Sequence, residues 1–328
     1  MKPFIYVTRK FADSGIKALK AKGYTVKVYA EDQVIPRKEL LQNVKGATAI
    51  LSLLTDKIDD QVLQTAGPDL KIVANYAVGF DNVDLAAAKK RNIVVTNTPS
   101  DAVNESVAEH AFALMISLAH RIAEADVFAK AKKYTGWSPT QLIGTDMYGK
   151  TLGIVGAGRI GSALAKRAVD GFGMKLVYSD ARRNTDMEKA FKATQLPLEK
   201  LLEVSDFVSL HVPLLPSTQH LISTAEFASM KKTAFLVNTA RGPVVDEKAL
   251  LRAIKTKRIA GAALDVFECE PAIDCDVSDN LELKSYPNII LTPHIASATI
   301  EAREAMSMVA AENIIAVLEG KPALNPAK

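Results

Sequence analysis

The chain has 328 residues, of which 48% are hydrophobic and 24% are charged. Lys and Arg number 41 and Asp and Glu number 37, which gives a formal net charge of +4. This length predicts two domains, and the ordinary globular composition excludes a disordered chain. No block of five or six like charges is present, which argues against a nucleic-acid arm or a polybasic membrane patch.

The sequence contains no predicted membrane or export segment. It begins MKPFIYVTRKF, without the long apolar stretch of a signal peptide. The longest apolar segments, such as AFALMISLAH, are shorter than the ~20 residues of a membrane-spanning helix. Cys269 and Cys275 lack the spacing of a zinc site, and we expect two reduced thiols. These features predict a soluble, cytoplasmic protein with no metal site and with no membrane or nucleic-acid partner.

Short β-branched or apolar runs alternate with helical segments in the first hundred residues. Five runs predict strands: FIYVT (4–8), TVKVYA (25–30), ATAILS (47–52), KIVANYA (71–77) and NIVVTN (92–97). This rhythm is typical of a parallel sheet covered by helices on both faces. A long helix is predicted over residues 101–133, with Ser100 or Asp101 as its N-cap.

A second series of strands follows this helix. The runs are TLGIVG (151–156), KLVYSD (175–180), FVSLHV (207–212), AFLVNTA (234–240), GAALDVF (261–267) and NIILTPH (288–294). A last helix, over residues 299–319, has no strands of its own, and we expect it to pack on the first domain. The sequence thus predicts an α/β protein of two doubly wound parallel-sheet domains with a cleft between them. The predicted domains are residues 1–100 plus 298–328, and residues 101–297.

The motif GAGRIG directly follows a predicted strand and opens a predicted helix. This context favours a dinucleotide-binding loop over the alternative, a structural turn. Gly156 allows the tight turn, Gly158 lets the backbone approach a pyrophosphate, and Gly161 lets the helix pack close to the strand. The first helical turn, with Arg159 and Ile160, offers backbone N–H groups to the phosphates.

The strand after this loop ends at Asp180, 19 residues beyond Gly161. A carboxylate at this distance binds the adenosine ribose hydroxyls and repels a 2′-phosphate, which favours NAD(H). Arg182 and Arg183 follow, and they are either solvated surface residues or a site for a 2′-phosphate. NADP(H) therefore stays open.

Polar residues follow three later strands. The segment NTARG gives Arg241, DVFECEP gives Asp265 and Glu270, and LTPHIAS gives His294. Ligands of open α/β sheets bind outside the carboxyl ends of the strands, so these residues should converge where a nicotinamide would lie. Arg suits a carboxylate, His exchanges protons near neutral pH, and a nearby Glu orients the His and favours its charged form. Together they indicate proton-coupled hydride transfer on a small oxo acid. Taken singly, each residue has a structural alternative: Arg241 as a surface ion pair, Glu270 as a loop charge and His294 as a strand-end histidine.

The other four histidines give weaker signals. His110 and His120 lie on the predicted long helix with its apolar stripe, and we expect them in the core or at its flank. His211 is expected to border the cofactor pocket and His220 to lie at the surface.

These motifs belong to longer blocks through which the sequence closely resembles the D-isomer-specific 2-hydroxyacid dehydrogenases. The blocks are VGFDNVDLAAAKKRNIVVTNTP, SVAEHAFALM, GKTLGIVGAGRIGSALAKRA, LVNTARGPVVDEKAL, GAALDVFECEP and PNIILTPHIAS. The segments GWSPTQLIGTDMYGKT and SATIEAREAM most resemble the glyoxylate/hydroxypyruvate reductases of that family.

The resemblance implies a flavodoxin-like substrate domain and a Rossmann cofactor domain. It also implies reduction of a small 2-oxo acid, glyoxylate or hydroxypyruvate, to the 2-hydroxy acid by NAD(P)H, with His294 as proton donor. The implied catalytic residues are Arg241, Glu270 and His294. The implied substrate-binding residues are Leu54, Val78, Gly79, Arg241 and His294. With the glycine loop and Asp180 included, the expected cofactor contacts are Val107, Gly156, Gly158, Arg159, Ile160, Gly161, Asp180, Ala181, Arg182, Val212, Pro213, Thr239, Ala240, Arg241, Asp265, His294 and Ala296.

The resemblance further implies a homodimer formed through the interdomain helix, with the loop around Trp137 reaching the neighbouring subunit's substrate pocket. Two other functions stay open. One is a different D-2-hydroxyacid dehydrogenase, such as a phosphoglycerate-type enzyme, because pocket size depends on geometry. The other is an NAD-sensing corepressor with the same fold.

Overall fold

The computed structural model describes residues 2–270 and 283–327. The chain forms two compact units, Met1–Val103 with Ala298–Lys328, and Asn104–Ser297. No helix in the described ranges has the length and apolarity that crossing a membrane requires. The expectation of two reduced thiols is wrong for Cys269, which takes part in a disulfide, and Cys275 lies outside the described residues. The number of cysteines bears on the redox compartment, whereas pairing depends on local chain geometry that the sequence pattern does not give.

The first unit contains a five-stranded, fully parallel sheet in the order β2-β1-β3-β4-β5. Its strands are β1 Phe4–Val7, β2 Thr25–Val28, β3 Ala49–Leu53, β4 Ile72–Tyr76 and β5 Val94–Thr96. Its first helices are α1 Asp13–Ala21, α2 Arg37–Asn43, α3 Asp60–Ala66 and α4 Leu85–Lys90. The strand order is the flavodoxin-like one that the resemblance implied.

The second unit contains a seven-stranded parallel sheet in the order β12-β11-β10-β9-β6-β7-β8. Its strands are β6 Thr151–Val155, β7 Lys175–Ser179, β8 Thr194–Gln195, β9 Phe207–Leu210, β10 Phe235–Asn238, β11 Gly261–Leu264 and β12 Ile289–Leu291. Its helices are α5 Asp101–Ala119, α6 Ile122–Lys130, α7 Arg159–Lys166, α8 Thr185–Phe191, α9 Leu198–Val204, α10 Thr224–Ser229 and α11 Glu247–Lys255. A π-helix covers Arg167–Gly171, and short 3₁₀ turns cover Gly242–Val244 and Leu283–Ser285. From β8 to β11 this is the Rossmann order, with the topological switch point between β6 and β9.

Two apolar clusters form the core of the second unit, one on each face of its sheet. One contains Leu152, Ile154 and Val237 with residues of α5 and α7. The other contains Leu210 and Leu236 with residues of α9, α10 and α11. Both faces are therefore buried, as expected for a parallel sheet.

The single helix predicted over 101–133 is wrong, although Ser100 does cap its first turn by accepting a backbone N–H at 3.2 Å. The carbonyl of Ala119 accepts the N–H of Thr145 at 2.8 Å. Arg121 then takes a left-handed conformation with φ 54°, which ends one helix before the next begins. The break depends on a contact with a segment far along the chain, so local periodicity could not reveal it.

The last helix, α12 (Ile300–Leu318), belongs to the first unit and packs against α1. The N–H of Gly15 donates to the Ser307 hydroxyl at 2.9 Å. A Cβ at Gly15 would lie 2.1 Å from the Ser307 carbonyl oxygen, so the two helices approach at backbone distance. The C-terminal segment then covers the edge of the sheet, where the N–H of Ala327 donates to the Val95 carbonyl at 2.9 Å.

Candidate active site

The glycine loop after β6 has the backbone geometry of a pyrophosphate site. Gly156 has φ +96°, and a Cβ there would lie 2.7 Å from the carbonyl oxygen of His211. At Gly161 a Cβ would lie 2.4 Å from the carbonyl oxygen of Gly156. At the exposed Gly158, in contrast, a Cβ would meet nothing within 4 Å. Two of the glycines are thus required by packing, whereas the third leaves open space beside the N–H groups of the first turn of α7.

The loop after β9 lies beside this glycine loop, at the switch point of the sheet. The N–H of His211 donates to the Val155 carbonyl at 2.7 Å, and its Nε2 lies 2.9 Å from the Ser209 hydroxyl. Burial lowers the pKa of His211 to about 4, so its imidazole is neutral at physiological pH. A side-chain carbon of Val212 would lie 3.0 Å from a Cβ at Gly156. Val212, a predicted cofactor residue, therefore lies against the glycine loop, and Pro213, another, is the next residue in the chain.

Asp180 is fixed next to the glycine loop by backbone hydrogen bonds. Its carboxylate accepts the N–H of Ala157 at 2.8 Å through Oδ2 and the N–H of Arg182 at 2.8 Å through Oδ1. The guanidinium of Arg183 is engaged by Glu188, with Nε 3.0 Å from each carboxylate oxygen. Asp180, the residue predicted to bind the ribose, therefore lies directly after β7 and beside the glycine loop. Of the two arginines considered for a 2′-phosphate, Arg183 already has an ionic partner.

The turn after β10 presents Thr239, Ala240 and Arg241. The fully buried Asn238 holds this turn, because its Nδ2 donates to the Arg241 carbonyl at 2.9 Å and its Oδ1 accepts the Ala240 N–H at 3.0 Å. Arg241 is half-buried and donates from Nη1 to the Ala240 carbonyl at 2.7 Å. The hydroxyl of Thr239 is buried without a hydrogen-bond partner among the described residues, as expected of a group that a ligand satisfies.

Glu270 and His294 are in direct contact. His294 Nδ1 lies 2.7 Å from Glu270 Oε2. The side chain of Glu270 is 28% exposed and that of His294 is 27% exposed. Because Nδ1 is engaged by the carboxylate, Nε2 is the nitrogen that can exchange a proton with a ligand. Of the three predicted catalytic residues, the structure brings these two together, and it places Arg241 after the adjacent strand, at the same edge of the sheet.

Asp265 organises the loop that carries His294. Its carboxylate accepts the Thr292 hydroxyl at 2.6 Å and the N–H groups of Ile295 at 2.9 Å and Ala296 at 2.8 Å. Its carbonyl accepts the His294 N–H at 2.8 Å. Sequence reasoning expected Asp265 and Ala296 as cofactor contacts, and both are buried in this loop.

The charge of Asp265 is stabilised despite its complete burial. Burial raises the pKa of this carboxyl group, but hydrogen bonds from His110, from Thr292 and from two backbone N–H groups outweigh that effect and lower it. The group is therefore ionised at neutral pH and acts as a permanent acceptor.

A second buried acid, Glu247, joins the segments that follow β10 and β11, and sequence reasoning missed it. Its Oε1 accepts the N–H of Glu268 at 2.7 Å, and Glu268 in turn pairs with His220. A Cβ at Gly242 would collide with the carbonyl of Phe267, so the loops after β10 and β11 touch at backbone level. Nothing in the local pattern around position 247 distinguishes this acid from an ordinary first-turn helix residue.

In the first unit, the backbone at Val78 and Gly79 is held so that two consecutive N–H groups point the same way. The Ala77 carbonyl accepts the Thr98 N–H at 2.9 Å, and the Val78 carbonyl accepts Nδ2 of Asn97 at 2.6 Å. In a trans peptide the following N–H points opposite to the carbonyl, so the N–H groups of Val78 and Gly79 point away from the 97–98 segment. Such a pair of N–H groups is suited to a carboxylate.

The turn at Leu54, after β3, is held by a buried polar network that sequence reasoning also missed. Asp56 accepts the Leu53 N–H at 2.8 Å and the Thr8 hydroxyl at 2.5 Å. Asn82 donates from Nδ2 to the carbonyls of Leu53 at 3.0 Å and Asp56 at 2.9 Å. Burial raises the pKa of Asp56, and the hydrogen bonds that its carboxylate accepts from Thr8 and Leu53 oppose the rise only in part. The half-buried Leu54 is thus presented on a rigid turn.

The comparisons with known proteins identify the family. The model of the D-isomer specific 2-hydroxyacid dehydrogenase NAD binding domain matches residues 112–296. The chain is 46% identical over 325 residues to a glyoxylate reductase of Thermococcus litoralis, covering 98% of this chain and 95% of that protein. The solved structure of the TT0316 protein from Thermus thermophilus is 40% identical with a TM-score of 0.90, covering 99% of this chain and 100% of that one. A D-lactate dehydrogenase from Aquifex aeolicus, solved with NAD and lactic acid, is 32% identical with a TM-score of 0.84, covering 97% and 96%.

This chain belongs to the D-isomer specific 2-hydroxyacid dehydrogenase family. It is an oxidoreductase enzyme with the family's NAD binding domain, and the resemblance drawn from the sequence blocks is confirmed. Within residues 2–270 and 283–327, no group of three or more His, Cys, Asp or Glu side chains is arranged to hold a metal ion.

Proposed function

We propose that this protein reduces glyoxylate, or a closely related small 2-oxo acid such as hydroxypyruvate, to the 2-hydroxy acid with NADH. The observation that carries the proposal is the His294–Glu270 hydrogen bond of 2.7 Å at the carboxyl edge of a sheet that also carries the glycine loop. The 46% identity to a glyoxylate reductase supports glyoxylate as the first substrate to test.

NADH, when bound in the second unit, would supply the hydride that reduces C2 of the oxo acid. His294 donates a proton from Nε2 to the carbonyl oxygen, while Glu270 keeps the ring oriented through Nδ1 and stabilises its positive charge. Arg241 binds the substrate carboxylate through its planar fork and orients the carbonyl. The substrate-binding residues that the resemblance implies in the first unit are Leu54, Val78 and Gly79, and the backbone N–H groups of the last two suit a carboxylate.

The residues of the second unit fit a dinucleotide. The glycine loop would hold the pyrophosphate, Asp180 the ribose, and the unpartnered hydroxyl of Thr239 would bond to the cofactor. NADH is favoured over NADPH because the Asp180 carboxylate repels a 2′-phosphate and Glu188 engages Arg183. The remaining predicted contacts form the rest of this cofactor site: Val107, Ala181, Arg182, Val212, Pro213, Ala240, Asp265 and Ala296. Residues 1–100 with 298–328 are accordingly the substrate domain, and residues 101–297 the NAD-binding domain.

We also propose that the protein is a homodimer. Large apolar side chains are exposed in the segment that follows α5, and they need a covering surface. Tyr134, Trp137, Ile143 and Tyr148 are 60%, 84%, 64% and 79% exposed. Light scattering should give twice the chain mass for the wild type, and replacement of Trp137 and Ile143 by Asp should shift it toward the monomer. A wild-type monomer with full activity would exclude the dimer and any contribution of Trp137 to a neighbouring subunit.

The enzymatic proposal is tested by NADH and NADPH oxidation with glyoxylate, hydroxypyruvate, pyruvate and 3-phosphohydroxypyruvate, with His294→Ala as the control. We expect the highest kcat/KM with NADH and glyoxylate or hydroxypyruvate, and near-complete loss in the variant. A preference for 3-phosphohydroxypyruvate would indicate a phosphoglycerate-type enzyme. Tight NADH binding without turnover of any oxo acid would instead favour the corepressor function.

A further inference from the structure

Helix α5 contacts the loop that carries His294 at two points. The hydroxyl of Ser106 donates to the Ala296 carbonyl at 2.9 Å. Nε2 of His110 lies 3.1 Å from the Thr292 hydroxyl oxygen. Ser106 and His110 are four residues apart and therefore lie on the same face of the helix. The two contacts bracket His294, one on each side of it in the sequence.

The hydrogen-bond chemistry fixes the direction of the second contact. The Thr292 hydroxyl has one hydrogen, and it donates this to the Asp265 carboxylate at 2.6 Å. The ionised Asp265, 3.5 Å from His110 Nε2, is an acceptor as well. Nε2 of His110 must therefore carry a hydrogen and donate it, and a chain of donors runs from His110 through Thr292 to Asp265.

The loop needs this support because His294 has a left-handed backbone with φ +53°. A non-glycine residue in this region costs energy and persists only where the surrounding contacts determine it. Asp265 holds the loop from the end of β11, through its side chain and through its carbonyl. The contacts from α5 supply the second support.

We propose that Ser106 and His110 are positioning residues for the reaction. They hold residues 292–296 so that His294 keeps its bond to Glu270 and presents Nε2 to the substrate. They act through the loop and contact no reacting atom. The proposal rests on the proposed function, because it takes His294 as the proton donor.

The test compares His110→Ala, His110→Gln and Ser106→Ala with the wild type. Gln places an amide N–H near the position of Nε2, so it should restore the bond to Thr292. In His110→Ala we expect kcat to fall by about 10- to 100-fold, as for a small misplacement of a catalytic group, with KM and the NADH Kd within about twofold. His110→Gln should recover most of kcat, and Ser106→Ala should lose about three- to tenfold for one hydrogen bond. His120→Ala, an exposed histidine just beyond α5, is the matched control and should match the wild type.

Three results would overturn the inference. They are a wild-type kcat in His110→Ala, a His110→Gln variant no better than His110→Ala, or an NADH Kd that changes as much as kcat. Thermal unfolding reports whether each variant folds. If His110→Ala does not fold, the kcat of Ser106→Ala decides the test. His294→Ala is measured in parallel: if it stays active, the proposed function fails, whereas its inactivity beside a fully active His110→Ala refutes this inference alone.

Discussion

Two alanine substitutions in the glycine loop should separate folding from cofactor binding. In Gly156→Ala, the φ of +96° is one that L residues rarely adopt, at a cost of about 1–3 kcal/mol. The new Cβ would also lie 2.7 Å from the carbonyl of His211, so backbone must shift, at about 1–3 kcal/mol more. At about 2–4 °C per kcal/mol, a total near 4 kcal/mol lowers Tm by about 8–16 °C.

Gly158→Ala should show the opposite behaviour. Its φ of −79° suits alanine and its Cβ would meet nothing within 4 Å, so the Tm of the cofactor-free protein should be unchanged or slightly higher. The methyl group would occupy the space through which the pyrophosphate approaches the backbone. We therefore expect the NADH Kd to rise at least about tenfold, a loss of about 1.4 kcal/mol.

Calorimetry without cofactor and fluorescence titration with NADH measure the two effects. Gly171→Ala is the matched control, because a Cβ there also meets nothing within 4 Å and the residue lies outside the loop. Normal NADH affinity in Gly158→Ala would refute the pyrophosphate assignment. An unchanged Tm in Gly156→Ala would refute the packing argument at the switch point.

Four further substitutions test the proposed chemistry. In Glu270→Gln the 2.7 Å hydrogen bond to His294 Nδ1 loses its charged acceptor, worth about 1–1.5 kcal/mol, so kcat for reduction should fall by about tenfold. A wild-type kcat would contradict a role of Glu270 in orienting His294. Asp180→Ser should raise the NADPH/NADH ratio of kcat/KM, and a constant ratio would refute the ribose assignment. Arg241→Lys loses the bidentate fork, so kcat/KM should fall by about 10²-fold, and near-normal turnover would make it a structural residue. Burial raises the pKa of Asp265, but its hydrogen bonds outweigh burial and lower it, so its ionised form stabilises the fold above about pH 4 and this stabilisation is lost on acidification. The free energy of unfolding in urea should therefore fall less steeply from pH 7 to 3 in Asp265→Asn than in the wild type. Equal slopes would contradict this linkage.

The fold was predictable because the central parallel strands are buried on both faces. Such strands appear as continuous apolar runs, and all eleven predicted runs are strands in the structure. The two-residue edge strand β8, Thr194–Gln195, was missed, because it is too short and too polar to give a pattern. The break after Ala119 was missed because it depends on Thr145, which is distant in sequence.

The candidate site was predictable where ligand-facing residues lie in motifs. The pairing of Glu270 with His294 follows from their positions after adjacent strands. Residues that act on backbone groups gave no such signal. Asn97 holds the Val78 carbonyl through one amide, and Asn238 holds the Arg241 turn, yet each reads in the sequence as an ordinary polar residue at a strand end.

Exposed and buried polar residues have different roles in the candidate site, and this explains why the sequence predicted the ligand-facing residues but not those that hold the loops. Glu270 and His294 keep about a quarter of their side chains exposed, as contact with a ligand requires. Asn75, Asn238 and Asp265 are completely buried. Asn75 and Asn238 bond to the backbone of the loop beyond their own strands, and Asp265 bonds to the backbone of the loop after the neighbouring strand β12. A buried polar group without a hydrogen bond costs free energy, so these three residues hold the loops in the one geometry that satisfies their side chains. Exposed site residues can therefore be exchanged to change the chemistry, whereas replacing a buried loop-holder should degrade every reaction that the loops support.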